Sequence, residues 1–203
     1  MVTVYVESNF ILELAFLQEQ HQACLRILEL TEQGSIRLAV PAYCIGEPYE
    51  KLVRQMAHRT KLQAAILTEV DQMSRSHAYA GIAEATHEFM TLLIESGQQE
   101  EGRLRDILSR LLKVSVVVPL DADVFAHAMD ARDALDFSPQ DAIVFASVVK
   151  SPPQAAGKAL FLNRNPRDFL KPDVEAVLEQ HACKLLSNFE HGLGWIQSAV
   201  SKG

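Results

Sequence analysis

Short β-branched runs alternate with helix-like segments along most of this chain, and this alternation limits the folds that it can adopt. The runs VTVYV at 2–6 and IRLAV at 36–40 are short, apolar and bounded by polar residues, Gly34 or Pro41, which predicts two buried strands. Between them, apolar residues from 10 to 33 recur at helical spacing, and a further helical stretch follows Pro41. Strand, helix, strand, helix is the order found in a parallel sheet covered by helices.

The second half of the chain returns to the same alternation. The predicted elements are strands at 114–120, 158–162 and 183–186, and helices at 123–135, 139–149 and 173–181. We therefore predict an α/β fold in three layers, α/β/α, with a central parallel sheet of four to five strands. The remaining tail, from 188 onward, carries the only tryptophan, Trp195, which we expect to dock on the core.

Residues 55–113 interrupt the alternation. They are polar, charged and helix-favouring, and they contain no convincing strand and no proline. We predict two or three helices here, divided near Ser76 and near Ser96-Gly97, that form a helical insertion or arm. Because Ser151-Pro152-Pro153 is predicted to be a loop and not a domain boundary, residues 1–203 are expected to form a single domain. The arm is a candidate for self-association, and a homodimer is the expected assembly because symmetric pairs are the commonest oligomers.

Composition narrows the possible partners and locations. A formal net charge of -7 argues against a broad basic footprint, so contact with nucleic acid would need a local cationic patch or metal ions. The three cysteines are far apart in sequence and form no C-x-x-C pair, which predicts small buried residues and neither a disulfide framework nor a zinc site. No apolar run reaches the roughly 18 to 20 residues that span a bilayer. The N-terminus lacks a basic signal-peptide region, so we expect a cytoplasmic protein without membrane contact.

Several common catalytic motifs are missing from the sequence. It contains no G-x-S-x-G elbow for a serine nucleophile and no H-E-x-x-H pair for zinc. It also lacks G-x-G-x-x-G and G-x-x-x-x-G-K-[ST], which argues against dinucleotide and P-loop nucleotide sites. A functional site in this chain must therefore be built from residues outside these motifs.

Acidic and amide side chains lie at the junctions between predicted strands and helices. Glu7 directly follows the first strand, Glu47 lies in the first turns after the second, and Asp141 opens the helix that leads into the fourth. Three more polar residues follow the fourth strand: Asn163, Asn165 and Asp168. In open α/β sheets, ligands bind outside the carboxyl ends of the strands. Carboxylates brought together there repel one another unless cations hold them, so the sequence predicts a divalent-cation site.

Each of these acids also has a purely structural interpretation. Ser138 and Asp141 match the N-cap and N3 positions of a capping box, although a capping acid can also bind metal. Glu47, directly before Pro48, would be a solvated residue where a helix begins late or kinks. Asp168 would close a turn after the fourth strand. Both interpretations remain open for each acid.

Four segments together resemble the PIN-domain ribonucleases, a family that includes the toxins of many bacterial toxin–antitoxin pairs. The segments are VYVESNFILEL, VPAYCIGEPYEKL, LDFSPQDAIVFASV and LFLNRNPRDFLKPDV. The resemblance covers roughly residues 2–54 and 114–187 in the order typical of the family, and 55–113 exceed a minimal PIN domain. It implies a PIN-like fold, an endoribonuclease that requires Mg²⁺ or Mn²⁺, an RNA substrate and a possible antitoxin partner.

The resemblance also implies roles for individual residues. The acids implied to bind metal and support catalysis are Glu7, Glu47, Asp141 and Asp168. The residues implied to orient water or substrate around them are Ser8, Asn163 and Asn165. Cations flanking the proposed site are candidates for RNA binding: Arg164, Arg167 and Lys171. A second cationic group follows Glu47 in sequence. Its members either contact RNA or are ordinary solvated surface charges: Arg54, His58, Arg59 and Lys61.

Two positions depart from the family's pattern. Glu7 stands where the family usually has aspartate, and its extra methylene displaces the carboxylate. Asn165 is neutral where many members have an acid, which weakens a second metal position. These departures leave a second function open, in which a catalytically weakened PIN-like scaffold binds RNA or protein without cleaving RNA.

Overall fold

Five short strands form the centre of the structure, a computed structural model that describes residues 1–79, 81–151 and 157–201 but not the side chains of 83–85. The strands are β1 (Val2–Val6), β2 (Ile36–Pro41), β3 (Val116–Val118), β4 (Ala159–Leu162) and β5 (Cys183–Leu186). The helices are α1 (Ser8–Phe16), α2 (His21–Glu32), α3 (Tyr43–Met73), α4 (Ile82–Val114), α5 (Ala122–Leu135), α6 (Pro139–Lys150), α7 (Pro166–Phe169), α8 (Pro172–Gln180) and α9 (Phe189–Val200). The loop predicted at 151–153 lies, beyond Ser151, outside the described residues.

All five strands are parallel and lie in the order β3-β2-β1-β4-β5. The central strand β1 is buried along its whole length, which explains why its sequence contains no charged residue and does not alternate between core and solvent positions. Helices flank the sheet, so the predicted three-layer α/β/α class is confirmed, with five strands. The three cysteines are buried and unpaired, as predicted.

The strand order creates a switch point at the centre of the sheet. From β1 the chain moves outward to β2 and β3, then returns to β4 on the other side of β1 and continues to β5. Right-handed crossovers put the helices after β1 and β2 on one face and those after β3 and β4 on the other. Accordingly, α1 packs with α4, and α5 packs with α6. The C-terminal helix α9, which follows β5, packs with α2. The carboxyl ends of β1 and β4 therefore meet where an open α/β sheet offers its ligand crevice.

Helices α3 and α4 pair as a long antiparallel hairpin that contains the predicted arm. The predicted division near Ser76 is confirmed, since a short 3-10 turn at His77–Tyr79 separates the two helices. The division predicted at Ser96-Gly97 is wrong because α4 runs through it. Gly97 instead faces α3 within the helix: a Cβ there would lie 3.6 Å from Nη1 of Arg59, at ordinary contact distance.

Other predicted boundaries also change. The single helix expected over 10–33 is two helices, because Leu17 adopts a left-handed conformation (φ 50°) after α1. The side chain of Glu13 stabilises this break by accepting the backbone N–H of Gln20 at 2.7 Å. The strand expected over 114–120 is shorter because α4 continues to Val114. Helix α3 begins at Tyr43 and includes Pro48, contrary to the expected late start.

The C-terminal helix α9 covers the sheet as expected for the tail. Trp195 is half-buried on this helix and packs against the core, which confirms the predicted docking. Gly192 allows the close approach, since a Cβ there would lie 2.4 Å from Cδ2 of Leu162 on β4. Among the described helices, none combines the length and apolar character that crossing a bilayer requires.

Candidate functional site

A polar cavity of about 280 Å³ opens at the carboxyl end of the sheet. The segment after β1, the first turns of α3, the start of α6 and the loop after β4 form its wall. Seven residues predicted from the sequence line it: Glu7, Ser8, Glu47, Arg54, Asp141, Arg164 and Asn165. Residues that are remote in sequence therefore share one wall, as the parallel order of the strands leads one to expect.

Glu7 is the most buried acid of the cavity, with 8% of its surface exposed. Its side chain does not cap α1. Instead, Oε1 accepts hydrogen bonds from Nδ2 of Asn9 at 2.5 Å and from the backbone N–H of Arg164 at 3.1 Å. The pKa of Glu7 is raised from 4.5 to about 7, because burial and, to a smaller extent, the negative charges of Glu47 and Asp141 outweigh these two hydrogen bonds, which lower it. Glu7 thus occupies the N-cap position of α1, and its buried side chain lies in the cavity wall.

Asp141 serves the fold as well as the cavity. The predicted N-cap is confirmed, since Oγ of Ser138 accepts the backbone N–H of Asp141 at 3.1 Å. The return bond differs from that of a capping box, because Oδ2 of Asp141 accepts the Ser138 hydroxyl, at 2.5 Å, and not its backbone N–H. The other carboxylate oxygen lies 3.5 Å from Nδ2 of Asn165. The same amide donates to Oδ2 of Asp168 at 2.7 Å. Asn165 thus lies between two predicted acids. Asp168 does not line the cavity; its carboxylate is linked to the cavity wall by this hydrogen bond from Asn165.

Asn163 shapes the loop at the end of β4. Its side chain is buried, and Oδ1 accepts the backbone N–H of Asn165 at 2.6 Å, which makes the turn that the sequence had assigned to Asp168. Its Nδ2 is buried without a hydrogen-bond partner among the described residues. A buried donor left in this way costs free energy, so Asn163 is suited to a water or ligand oxygen.

Arg164 is engaged inside the protein. Its guanidinium donates to the fully buried carboxylate of Glu13 and, at 2.5 Å, to the exposed carboxylate of Glu19. Its predicted contact with RNA stays a prediction, but two carboxylates already neutralise the cation. Arg167 is exposed, and its side chain makes no ion pair within the described residues.

Two other predicted cations also have intramolecular partners. Nζ of Lys171 donates to the backbone carbonyls of Leu135 and Asp136, each at 3.1 Å, and so ties the start of α8 to the end of α5. Arg59 forms a 2.8 Å ion pair with Glu100 across the hairpin of α3 and α4. The remaining members of that second group, His58 and Lys61, are exposed on the arm and do not line the cavity, whereas Arg54 does.

Sequence reasoning missed four residues of the site: Asn9, Leu12 and Lys51, which line the cavity, and Glu13, which pairs with Arg164. Lys51 lines the cavity beside Arg54, and its position was readable as the i+4 neighbour of Glu47 on one helix face. Glu13 was missed as the buried partner of Arg164, although a single acid within the apolar run FILELAF is a usable signal.

No protein-family model, curated protein or solved structure matches this chain.

The kinds of ligand atom in the cavity wall indicate which metal ions the cavity could hold. As they stand, no three His, Cys, Asp or Glu side chains in the described part of the chain form a ready-made group of metal ligands. Carboxylate and amide oxygens suit Mg²⁺ or Mn²⁺, and Mg²⁺ keeps several waters while binding only one or two carboxylates. A cavity of this size with Glu7, Glu47 and Asp141 in its wall fits a cation held partly through water.

Proposed function

We propose that this chain hydrolyses RNA phosphodiester bonds with Mg²⁺ or Mn²⁺, which Glu7, Glu47 and Asp141 would hold. One observation carries the proposal: carboxylates from three separate elements line one cavity at the switch point, together with Lys51 and Arg54. An acidic wall beside two cations suits a substrate that binds partly through metal and partly directly. The resemblance of four segments to PIN-domain ribonucleases supports the same reaction and, beyond it, a toxin paired with an antitoxin protein.

Each side chain has a distinct task in this proposal. The bound cation would lower the pKa of a water and offset negative charge on the phosphate. Lys51 and Arg54 hold the RNA backbone through its phosphates. Ser8 on the cavity wall orients water or substrate, and the buried Asn163, which does not line the cavity, holds the loop that carries Asn165. Because a cation binds the carboxylate form of Glu7, whose pKa without metal is about 7, cation binding should weaken as the pH falls below that value.

A second candidate function is RNA binding without cleavage. The amide of Asn165 already donates to Asp168 and lies close to Asp141, so a neutral group occupies a position where a cation would otherwise balance two carboxylates. In this candidate, Lys51 and Arg54 bind the RNA backbone and the acids serve only the fold.

Cleavage of a labelled single-stranded RNA in Mg²⁺, Mn²⁺ or EDTA separates the two candidates. We expect metal-dependent cleavage by the wild type and a loss of at least about 10-fold in Asp141→Asn. Asp173→Asn is the matched control, because Asp173 is also an acid in the first turn of a helix that begins with proline, but it is exposed and outside the cavity.

Further measurements help to choose between cleavage and binding alone. Mg²⁺ or Mn²⁺ should raise the melting temperature of the wild type and of Asp173→Asn, because a ligand that binds only the folded state stabilises it. Circular dichroism of Asp141→Asn checks that the capping change leaves the helices intact. RNA binding without cleavage and without a metal-induced melting shift would favour the second candidate. Cleavage that persists in EDTA or in Asp141→Asn would contradict the metal-dependent mechanism.

A further inference from the structure

The hairpin of α3 and α4 uses one regular seam to hold itself together. From Leu52 to Met73 on α3 and from Thr86 to Leu104 on α4, buried or half-buried residues recur at alternating spacings of four and three. This is the pattern of helices that pack along a coiled-coil seam. The ion pair between Arg59 and Glu100 lies within the seam. The hairpin therefore has one internal interface. Near the globular core α4 also packs against α1, so the faces that remain open are those farther along the hairpin.

Large apolar side chains stand outside this seam. They are between 40% and 61% exposed, and they come from both helices: Leu62, Leu67, Phe89, Leu92 and Ile94. A solvated helix pair normally carries polar residues at such positions. Apolar residues both inside and outside the seam are typical of helices that belong to a larger bundle. The open faces of the arm are thus suited to further helices.

Charge is distributed unevenly along the arm. We call 51–61 with 98–108 the arm base, which carries six Lys or Arg and three Asp or Glu. We call 62–97 the arm tip, which includes the turn between the helices and carries five Asp or Glu and one Arg. The base is therefore net positive and the tip net negative. Two arms lying antiparallel would bring each tip against the base of the other.

We propose that the arm binds the arm of a second copy of this chain, antiparallel, to form a four-helix bundle. A two-fold axis perpendicular to the arms makes the two tip-to-base contacts identical, so the assembly closes as a dimer. The apolar side chains outside the seam provide the buried area, and the opposite charges of tip and base set the orientation. Parallel arms would instead place tip against tip and base against base, where like charges repel.

Sedimentation equilibrium of the full chain, from about 1 µM to about 100 µM, tests the interface. We expect a species of twice 22.6 kDa for the wild type. The double variant Phe89→Ser, Leu92→Ser should raise the dissociation constant at least about tenfold. The control is Phe125→Ser, Met129→Ser, which removes apolar side chains of α5 that are 47% and 71% exposed but lie off the arm.

The orientation has its own test, because Glu88 on the tip and Lys61 on the base are both exposed. In the antiparallel dimer, Glu88→Lys and Lys61→Glu should each weaken association, the double variant should restore it, and added salt should weaken the wild-type dimer. In a parallel dimer, Glu88→Lys would relieve repulsion between the tips and strengthen association.

Three outcomes would overturn the proposal. The first is a wild-type chain that stays monomeric across the concentration range. The second is a dimer that the control variant weakens and the Phe89, Leu92 variant does not. The third is stronger association of Glu88→Lys. Circular dichroism should give the same helix content for all variants, because the substituted side chains lie outside the seam.

Discussion

Arg164 binds two carboxylates in very different environments, and the contrast predicts unequal contributions to stability. Glu13 is fully buried, whereas the side chain of Glu19 is 82% exposed. Removing one partner of a buried ion pair costs about 3 to 5 kcal/mol, because a charge stays behind without compensation. The Arg164 side chain is 30% exposed and keeps Glu19, so we expect the lower limit, about 3 kcal/mol, for Glu13→Gln. An exposed pair contributes at most about 1 kcal/mol, which is the expectation for Glu19→Gln.

Urea denaturation followed by circular dichroism measures both variants under the same conditions. With a slope of about 2 kcal/mol per molar urea, Glu13→Gln should lower the midpoint by about 1.5 M and Glu19→Gln by less than about 0.5 M. Each substitution removes one negative charge from the same arginine, so the change in net charge cancels in the comparison. Equal shifts, or a loss below about 1 kcal/mol for Glu13→Gln, would refute the reasoning that burial makes this pair important.

Two further predictions concern the core and the cavity. Gly192→Ala should lower the unfolding free energy by about 1 to 3 kcal/mol, because the new Cβ meets the fully buried Leu162. In the same helix, the new Cβ of Gly194→Ala meets nothing within 4 Å, so this variant should raise the unfolding free energy by up to about 1 kcal/mol. Urea denaturation of the two variants checks this, and similar losses in both would contradict it. Because folding raises the pKa of Glu7 from 4.5 to about 7, the folded state binds the extra proton between these values and its stability falls as pH rises through that range, by about 3 kcal/mol in total. Glu7→Gln mimics the protonated acid, so in EDTA it should match the wild type near pH 4.5 and exceed it in stability above pH 7; a difference that is constant with pH would rule this out.

Much of the architecture follows from local patterns. The β-branched runs form the predicted strands, and Ser138 caps the start of α6 as predicted, because both depend on residues close together in sequence. The meeting of Glu7, Glu47 and Asp141 in one cavity follows from the parallel order of the strands, which brings their carboxyl ends to one edge. The function of that cavity stays a prediction, since geometry alone does not establish a reaction.

Other features were decided only when distant residues met. The sequence by itself determined where strands and helices form, because β-branched runs, helical spacing and caps act over a few residues. Tertiary structure decided that Glu13 pairs with Arg164, 151 positions away, and that α4 continues through Gly97. A buried acid needs a charged partner, and a long helix is stabilised by packing against a second helix; both conditions arise only once remote segments are packed together. For the same reason, the predicted RNA contacts of Arg164 and Lys171 could not be judged from charge in the sequence, since their partners come from other parts of the fold.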